Sequence, residues 1–189
     1  MHTNETSLGD KYAELTVVLL TVIALVFGWF YKGSIENASL AFESAGITAQ
    51  APKGWLQSSP EGEVLRTIDI NSKGFGATYV IHTVAITGDA TASEVATIVA
   101  LDHAQDLLAF RVLDQREVKV YGRDAYEISY VFVESNPDLT HTDIPSVVRG
   151  VDYIFLDGER AVVVSFQADE KNYDVDFGRF ELFLRSLSF

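Results

Sequence analysis

The chain has 189 residues and a formal net charge of −13, from 27 acidic and 14 basic side chains. This acidic surplus, with no basic stripe to offset it, argues against binding to nucleic acid or to anionic lipid headgroups. The absence of cysteine excludes disulfides, thiolate metal sites, cysteine nucleophiles and an acylated N-terminal cysteine.

A hydrophobic, uncharged run covers residues 15–31 and follows a polar tail, 1–14. As a helix it is roughly 25 Å long, at the low end of the length that spans a bilayer. Lys11 and Lys32 flank the run, and aromatic residues lie near both ends, which is the pattern of a transmembrane helix. The alternative is a cleavable signal peptide, whose apolar core is shorter and is closely followed by a cleavage site. We predict a retained single-pass membrane helix.

The few flanking charges favour an N-inside orientation, which exports the following domain to the periplasm or cell surface. Thr21, Ala24 and Gly28 recur at spacings of three and four, so small side chains form one stripe along the helix. Small residues let two membrane helices approach closely, and the stripe therefore predicts a helix-packing interface with a membrane partner. A polar tether, 32–37, leads to a single water-soluble domain, 38–189.

The first part of this domain is predicted to be β-rich, with a turn at Gly54 and Trp55. The residues between the last two segments have turn chemistry, which predicts a hairpin. The predicted segments are 39–42, 47–49, 64–70 and 77–86.

A helix is predicted from Thr91 to about Phe110. Thr91 and Glu94 match a capping box, in which each residue satisfies a backbone N–H of the other. His103 is placed on the polar side of this helix. The predicted apolar side comprises Val95, Ile98, Val99, Leu101 and Leu108.

The sequence of the second half of the domain predicts four strands and a closing helix. Gly122 and the Asp157-Gly158 pair mark hairpin turns, and period-two alternation places the apolar residues of the second strand on one face. The fold class is α+β, a mainly antiparallel sheet covered by two helices. The predicted strands are 118–120, 125–133, 147–156 and 161–168, and the helix is 173–187. This helix is predicted to bury five residues against the sheet: Phe177, Phe180, Phe183, Leu184 and Leu187.

Four sequence features together resemble the PsbP-like fold, an α/β/α sandwich. They are Pro52-x-Gly54-Trp55 after an extended segment, the mid-chain helix, Val120-x-Gly122-Arg123-x-Ala125-Tyr126 before a strand, and a closing helix ending Leu184-Arg185-Ser186-Leu187. The family includes a photosystem II extrinsic subunit, LpqN-type lipoproteins and a nuclear Ran-binding factor. The likeness covers residues 38–189 and departs from the lipoproteins in lacking the acylated cysteine.

The resemblance implies a non-catalytic module that docks on, stabilises or helps assemble a larger membrane complex, for example a photosynthetic or respiratory one. It carries no catalytic chemistry over to this chain, and Gly54, Trp55 and Gly122 are expected to be structural. The chain also lacks the motifs of common nucleophile and phosphate sites. We therefore expect no enzymatic activity.

One loop, 134–146, contains candidate metal ligands. Asp138, His141 and Asp143 could converge on Ca²⁺ or Zn²⁺ if the loop folds back, although a solvated polar loop is the simpler explanation. Otherwise no cofactor is expected, and His82 is expected to be a structural histidine. The alternative function is a small-ligand or metal-ion sensor with an aromatic pocket built from Trp55, Tyr126 and Tyr153.

Overall fold

The computed structural model describes residues 8–36, 38–72, 74–135 and 145–189, and the chain divides into two units after Ala38. The first unit contains helix α1, Leu8–Glu36. This helix extends beyond the predicted run at both ends and takes in residues 32–36, which the sequence assigned to a tether. Within the described parts of the chain, no helix is long and apolar enough to cross a membrane, and the structure gives the predicted transmembrane assignment no support.

The second unit contains a two-stranded hairpin, a seven-stranded sheet and two helices, α2 (Ala92–Asp106) and α3 (Tyr173–Arg185). The hairpin pairs β1 (Ser39–Ser44) with β2 (Ile47–Pro52). The strands of the large sheet are β3 (Leu56–Ser58), β4 (Glu63–Ile68), β5 (Thr78–Ala85), β6 (Arg111–Val120), β7 (Arg123–Glu134), β8 (Ser146–Asp157) and β9 (Arg160–Asp169).

The large sheet has the order β3-β4-β5-β9-β8-β7-β6, and every neighbouring pair is antiparallel. This confirms the predicted α+β class with a mainly antiparallel sheet. The turn between β6 and β7 consists of Tyr121 and Gly122, with φ of 48° and 85°. Two consecutive positive φ angles are typical of a two-residue type I′ hairpin, which is why glycine is required at the second position.

The two edge strands were incompletely predicted. β3 was missed, and β6 has ten residues where the sequence predicted three. Nearly all of β6 is solvent-exposed, so it carries no alternation of buried and exposed residues from which a strand could be recognised. Its pairing with β7, whose side chains do alternate, defines it instead.

Helix α2 begins with the predicted capping box. Thr91 donates its backbone N–H to the Glu94 carboxylate at 2.8 Å, and the Thr91 hydroxyl accepts from the Glu94 backbone N–H at 3.3 Å. The helix ends at Asp106 rather than near Phe110, because Leu107 is extended, with φ −102° and ψ 126°.

The apolar side predicted for α2 is only partly correct. Val95 and Val99 are buried, but Ile98, Leu101 and Leu108 are exposed at 50%, 57% and 61%. The inward row continues from Val99 to the half-buried His103 one turn later, because the sheet beneath offers a buried carboxylate to this imidazole. The prediction that His103 lies on the polar side is therefore wrong.

Two apolar cores lie on opposite faces of the large sheet. Helix α2 packs mainly on β7 and β8, whereas α3 packs on β9 and on β2 of the hairpin. The α3 core contains an aromatic cluster around Tyr79, whose ring lies 5.2 Å from that of Phe180 and 5.0 Å from that of Phe183. The buried residues predicted for the last helix are confirmed: Phe180, Phe183, Leu184 and Leu187 are buried, and Phe177 packs against them.

Arg123, from the Gly122-Arg123 motif, holds the end of the chain. Its guanidinium lies 4.4 Å from the ring centroid of Phe189 and 5.0 Å from that of Phe155. It also donates a hydrogen bond to the Leu187 carbonyl at 3.1 Å. These contacts fix the C-terminal segment against the α3 core.

Candidate functional site

A groove of about 730 Å³ lies beside helix α2, and we call it the α2 groove. Because α2 covers mainly β7 and β8, the same face of β4, β5 and β9 remains available to form it. Residues of β5 and β9, including Val80, His82 and Ser165, line its floor. The C-terminal part of α2 and the segment from Glu61 to Arg66 line its two sides.

Asp152 of β8 lies at the centre of a buried polar network beside the groove. Its side chain is fully buried, and its Oδ2 atom lies 2.9 Å from Nε2 of His103. Tyr130 donates its hydroxyl to the other carboxylate oxygen at 3.2 Å, and Gln167 donates its amide to the Tyr130 hydroxyl at 3.1 Å. The network joins α2, β7, β8 and β9, and both oxygens of the buried carboxylate have a partner, as a buried charge requires.

The two groove histidines have opposite pKa shifts. Burial disfavours the protonated form of His103, but the hydrogen bond and negative charge of Asp152 outweigh it, and the pKa of His103 is raised above 6.5. The pKa of His82 is lowered below 6.5, mainly by burial. The environment therefore favours the protonated form of His103 and the neutral form of His82.

Gly150 provides the space that Tyr130 needs. The two residues are direct cross-strand partners between β7 and β8. A Cβ atom on Gly150 would lie 2.4 Å from carbon atoms of the Tyr130 ring, well inside van der Waals contact. The missing side chain thus lets the Tyr130 ring lie over β8 and reach Asp152, two residues further along the strand.

The exposed rim of the groove is acidic. Arg66 forms an ion pair with Glu63, with 2.8 Å between Nε and Oε2. The other charged rim residues on the described part of the chain are exposed carboxylates, and a cation is therefore favoured at this rim. They are Glu61, Asp102, Asp106 and Glu134.

The groove also has an apolar part. Phe75 packs edge to face on Phe132 with 5.9 Å between ring centroids, and both residues line the groove next to Val80. An acidic rim beside aromatic and aliphatic surface suits a ligand with both a positive charge and an apolar portion.

The aromatic residues of the predicted pocket do not come together. Trp55 packs on Tyr79 with 4.7 Å between ring centroids and a tilt of 50°, and both it and Tyr153 belong to the α3 core. Tyr126 packs against the α2 core on the opposite face of the sheet. Gly54, before Trp55, has a φ of 87°, which suits a glycine in a turn.

The candidate metal ligands Asp138, His141 and Asp143 lie outside the described residues. Elsewhere in the chain, within the ranges the structure covers, no three potential ligands come together as a metal site. In α1, the Thr21 hydroxyl donates to the Val17 carbonyl at 2.8 Å. No atom lies within 4 Å of where a Cβ on Gly28 would be, so the predicted stripe has open space at this position.

The α2 groove was missed by sequence reasoning, although two signals pointed to it. His103 is four residues after Val99 and eight after Val95, which places it in the same inward row of the helix. Asp152 interrupts the apolar run from Gly150 to Leu156 in β8, and a carboxylate there needs a buried partner.

The domain has the PsbP-like fold, as predicted. The sequence matches no protein-family model and no curated protein. The structure is similar to that of the cyanobacterial PsbP protein CyanoP from Synechocystis sp. PCC 6803, with a TM-score of 0.54 and 15% identity over 80% of this chain and 92% of that one.

Two further similar structures have lower identity. LpqN of Mycobacterium tuberculosis, a protein involved in cell envelope biogenesis, has a TM-score of 0.51 and 12% identity over 79% of this chain and 89% of that one. The Ran-binding protein Mog1p of Saccharomyces cerevisiae has a TM-score of 0.51 and 12% identity over 79% of this chain and 94% of that one. Identities this low show a shared fold and no more.

Proposed function

We propose that this protein is a non-catalytic accessory protein, in which the PsbP-like domain binds a partner and helix α1 attaches it to a membrane. The fold neighbours support a binding role, since one of them is a Ran-binding protein. The polar network supports it too. Asp152 is fully buried and engaged on both oxygens, which suits a structural tie between α2 and the sheet.

The surface of α1 is the observation that carries this proposal. Among its described side chains, the large hydrophobic ones from Tyr12 to Tyr31 are exposed on all sides of the helix, from 43% at Ile23 to 73% at Trp29. A continuous apolar surface of this kind is unfavourable in water and must be covered by lipid or by other apolar helices. A membrane covers all sides of the helix at once, and this supports membrane attachment. The length of the hydrophobic run is at the low end of what is needed to span a bilayer.

We further propose that the PsbP-like domain is extracytoplasmic and that its partner is a larger integral-membrane complex. The N-inside orientation favoured by the flanking charges supports the first part. The stripe formed by Thr21, Ala24 and Gly28 supports the second, because small residues permit close packing with a partner helix.

Fractionation of the full chain tests the attachment. We expect the protein to remain in the membrane pellet through an alkaline carbonate wash, which removes proteins held only by surface contacts. The double variant Leu19→Glu/Val26→Glu places two charges in the apolar run and should move the protein to the supernatant. Release of the unaltered protein by carbonate would refute membrane insertion.

A small-ligand or metal-ion binding role is the second candidate. The α2 groove favours it, because about 730 Å³ is within the volume range of ligand sites. Titration of the metal-free protein with Ca²⁺ and Zn²⁺ in a calorimeter tests whether the proposed ligands Asp138, His141 and Asp143 bind a metal ion. Equal heats from the chain and from an Asp138→Asn/Asp143→Asn variant would exclude these ligands.

A further inference from the structure

We propose that the α2 groove binds a basic peptide segment of a partner protein. This inference rests on the proposed function, because an accessory protein needs a docking surface, and it names both the surface and the chemistry of its partner.

Charge complementarity selects a cationic partner. Among the described residues, the groove lining carries five carboxylates, one guanidinium and two histidines. The guanidinium, of Arg66, is paired with Glu63, and His103 is paired with the buried Asp152. Asp102 and Asp106 lie four residues apart on α2, on the same side of the helix, and both are exposed. Their charges are therefore available to a ligand, and opposite charge steers and orients such a ligand at an exposed rim.

The apolar part of the groove favours a peptide over a simple cation. Phe75, Phe132 and Val80 place aromatic and aliphatic surface beside the carboxylates. Lysine and arginine side chains combine a charged end with an apolar stem, which can lie on such a surface while the charge stays at the rim. Aromatic faces add a favourable cation–π contact.

The boundaries of the groove suit an extended chain. One side is formed by the last turns of α2, the other by Glu61 to Arg66, and β5 and β9 form the floor between them. Both elements contribute carboxylates to the lining: Glu61 and Glu63 come from the β4 side, and Asp102 and Asp106 come from α2. Successive side chains of an extended segment point to opposite sides, so basic residues at neighbouring positions can reach both sides as the segment crosses the floor.

A binding assay on the full chain in nanodiscs of zwitterionic lipid tests this inference. The probe is a fluorescein-labelled heptapeptide with three lysines and one leucine, followed by fluorescence anisotropy. We expect saturable binding that weakens with added salt. A matched peptide with glutamate in place of lysine should not bind.

Matched variants locate the binding site. Asp102→Asn/Asp106→Asn removes two exposed charges from the rim and should weaken binding about fivefold, as expected for two exposed ion pairs. Asp174→Asn/Glu181→Gln removes the same charge from α3, on the other face of the sheet, and should change binding less than about twofold. Phe75→Ala removes an aromatic ring from the apolar part of the groove without changing its charge, and it should weaken binding.

Three results would overturn the inference. The first is equal peptide binding by the two charge variants, and the second is equal binding of the acidic and the lysine peptides. The third is displacement of the lysine peptide by spermine as effectively as by the peptide itself, which would show attraction to charge alone.

Carbonate fractionation of the same samples separates the two proposals. Peptide binding by a protein that carbonate releases would refute only the membrane attachment, whereas a membrane-retained protein without peptide binding would refute only the groove assignment.

Discussion

Nε2 of His103 lies 2.9 Å from Oδ2 of Asp152, and this contact ties helix α2 to the middle of the sheet. The Asp152 side chain is fully buried, while 19% of the His103 side chain is exposed. The carboxylate therefore depends on His103 and Tyr130 to compensate its removal from water.

Removing His103 should leave the buried carboxylate undercompensated. We expect His103→Gln to lower the free energy of unfolding by about 3 kcal/mol, the lower end of the cost of breaking a buried pair, because the imidazole is partly exposed. Urea denaturation measures the change. The exposed neighbour Asp102 provides the control, and Asp102→Asn should alter stability by less than about 0.5 kcal/mol. A similar small loss for both variants would show that the pair contributes little.

The histidines predict two opposing pH effects on stability. The pKa of His103 is raised, so its contribution is complete below the unfolded value of 6.5 and is lost as the pH rises through the higher folded pKa. The pKa of His82 is lowered, so its contribution is complete above 6.5 and is lost as the pH falls through the lower folded pKa. The free energy of unfolding should be measured from pH 5 to pH 8. In His103→Gln it should no longer fall at the alkaline end of this range, and in His82→Gln it should fall less at the acid end. Identical profiles for both variants would contradict these shifts.

Gly150 should not tolerate a methyl group. Gly150→Ala places a Cβ atom within 2.4 Å of the Tyr130 ring, which must move and give up its bond to Asp152. We expect a loss of about 3 kcal/mol in urea denaturation. Gly178→Ala is the control, because Gly178 lies in α3 with open space around its Cβ position, and a gain of about 0.5–1 kcal/mol is expected. Tyr130→Leu should restore part of the loss in Gly150→Ala.

Trp55 should contribute to stability through its contact with Tyr79. It is half-buried and packs on that ring with 4.7 Å between centroids. Trp55→Ala should therefore cost about 2 kcal/mol rather than the larger cost of a fully buried tryptophan. Trp55→Phe keeps a ring at this position and should cost less than about 1 kcal/mol. Guanidinium unfolding followed by circular dichroism compares the two. A negligible loss in the alanine variant would assign Trp55 to a contact surface instead.

Gly28 tests the proposed helix partner. A leucine side chain at Gly28 meets open space within α1, so Gly28→Leu should not disturb the helix itself. It should weaken co-purification with a membrane complex, whereas Val22→Leu on another side of the helix should not. The measurement is the amount of complex recovered from native membranes by each tagged variant. Equal recovery would show that recognition lies in the PsbP-like domain.

Local signals in the sequence were sufficient for most elements of the domain. The capping box of Thr91 and Glu94 located the start of α2, and the alternation in 125–133 located β7 and its apolar face. Turn chemistry at Gly122 and Asp157-Gly158 located two hairpins. These features are determined within a few residues of chain, and together with the closing helix they were enough to indicate the PsbP-like fold.

Only the tertiary structure decided which residues meet across the sheet. His103 and Asp152 are 49 residues apart, and Gly150 acquires its role only because it pairs with Tyr130. The exposed edge strand β6 is likewise defined by its neighbour, since its own residues carry no burial pattern. The α2 groove exists because one helix of 15 residues covers only part of a seven-stranded face, which depends on strand order and not on any local motif.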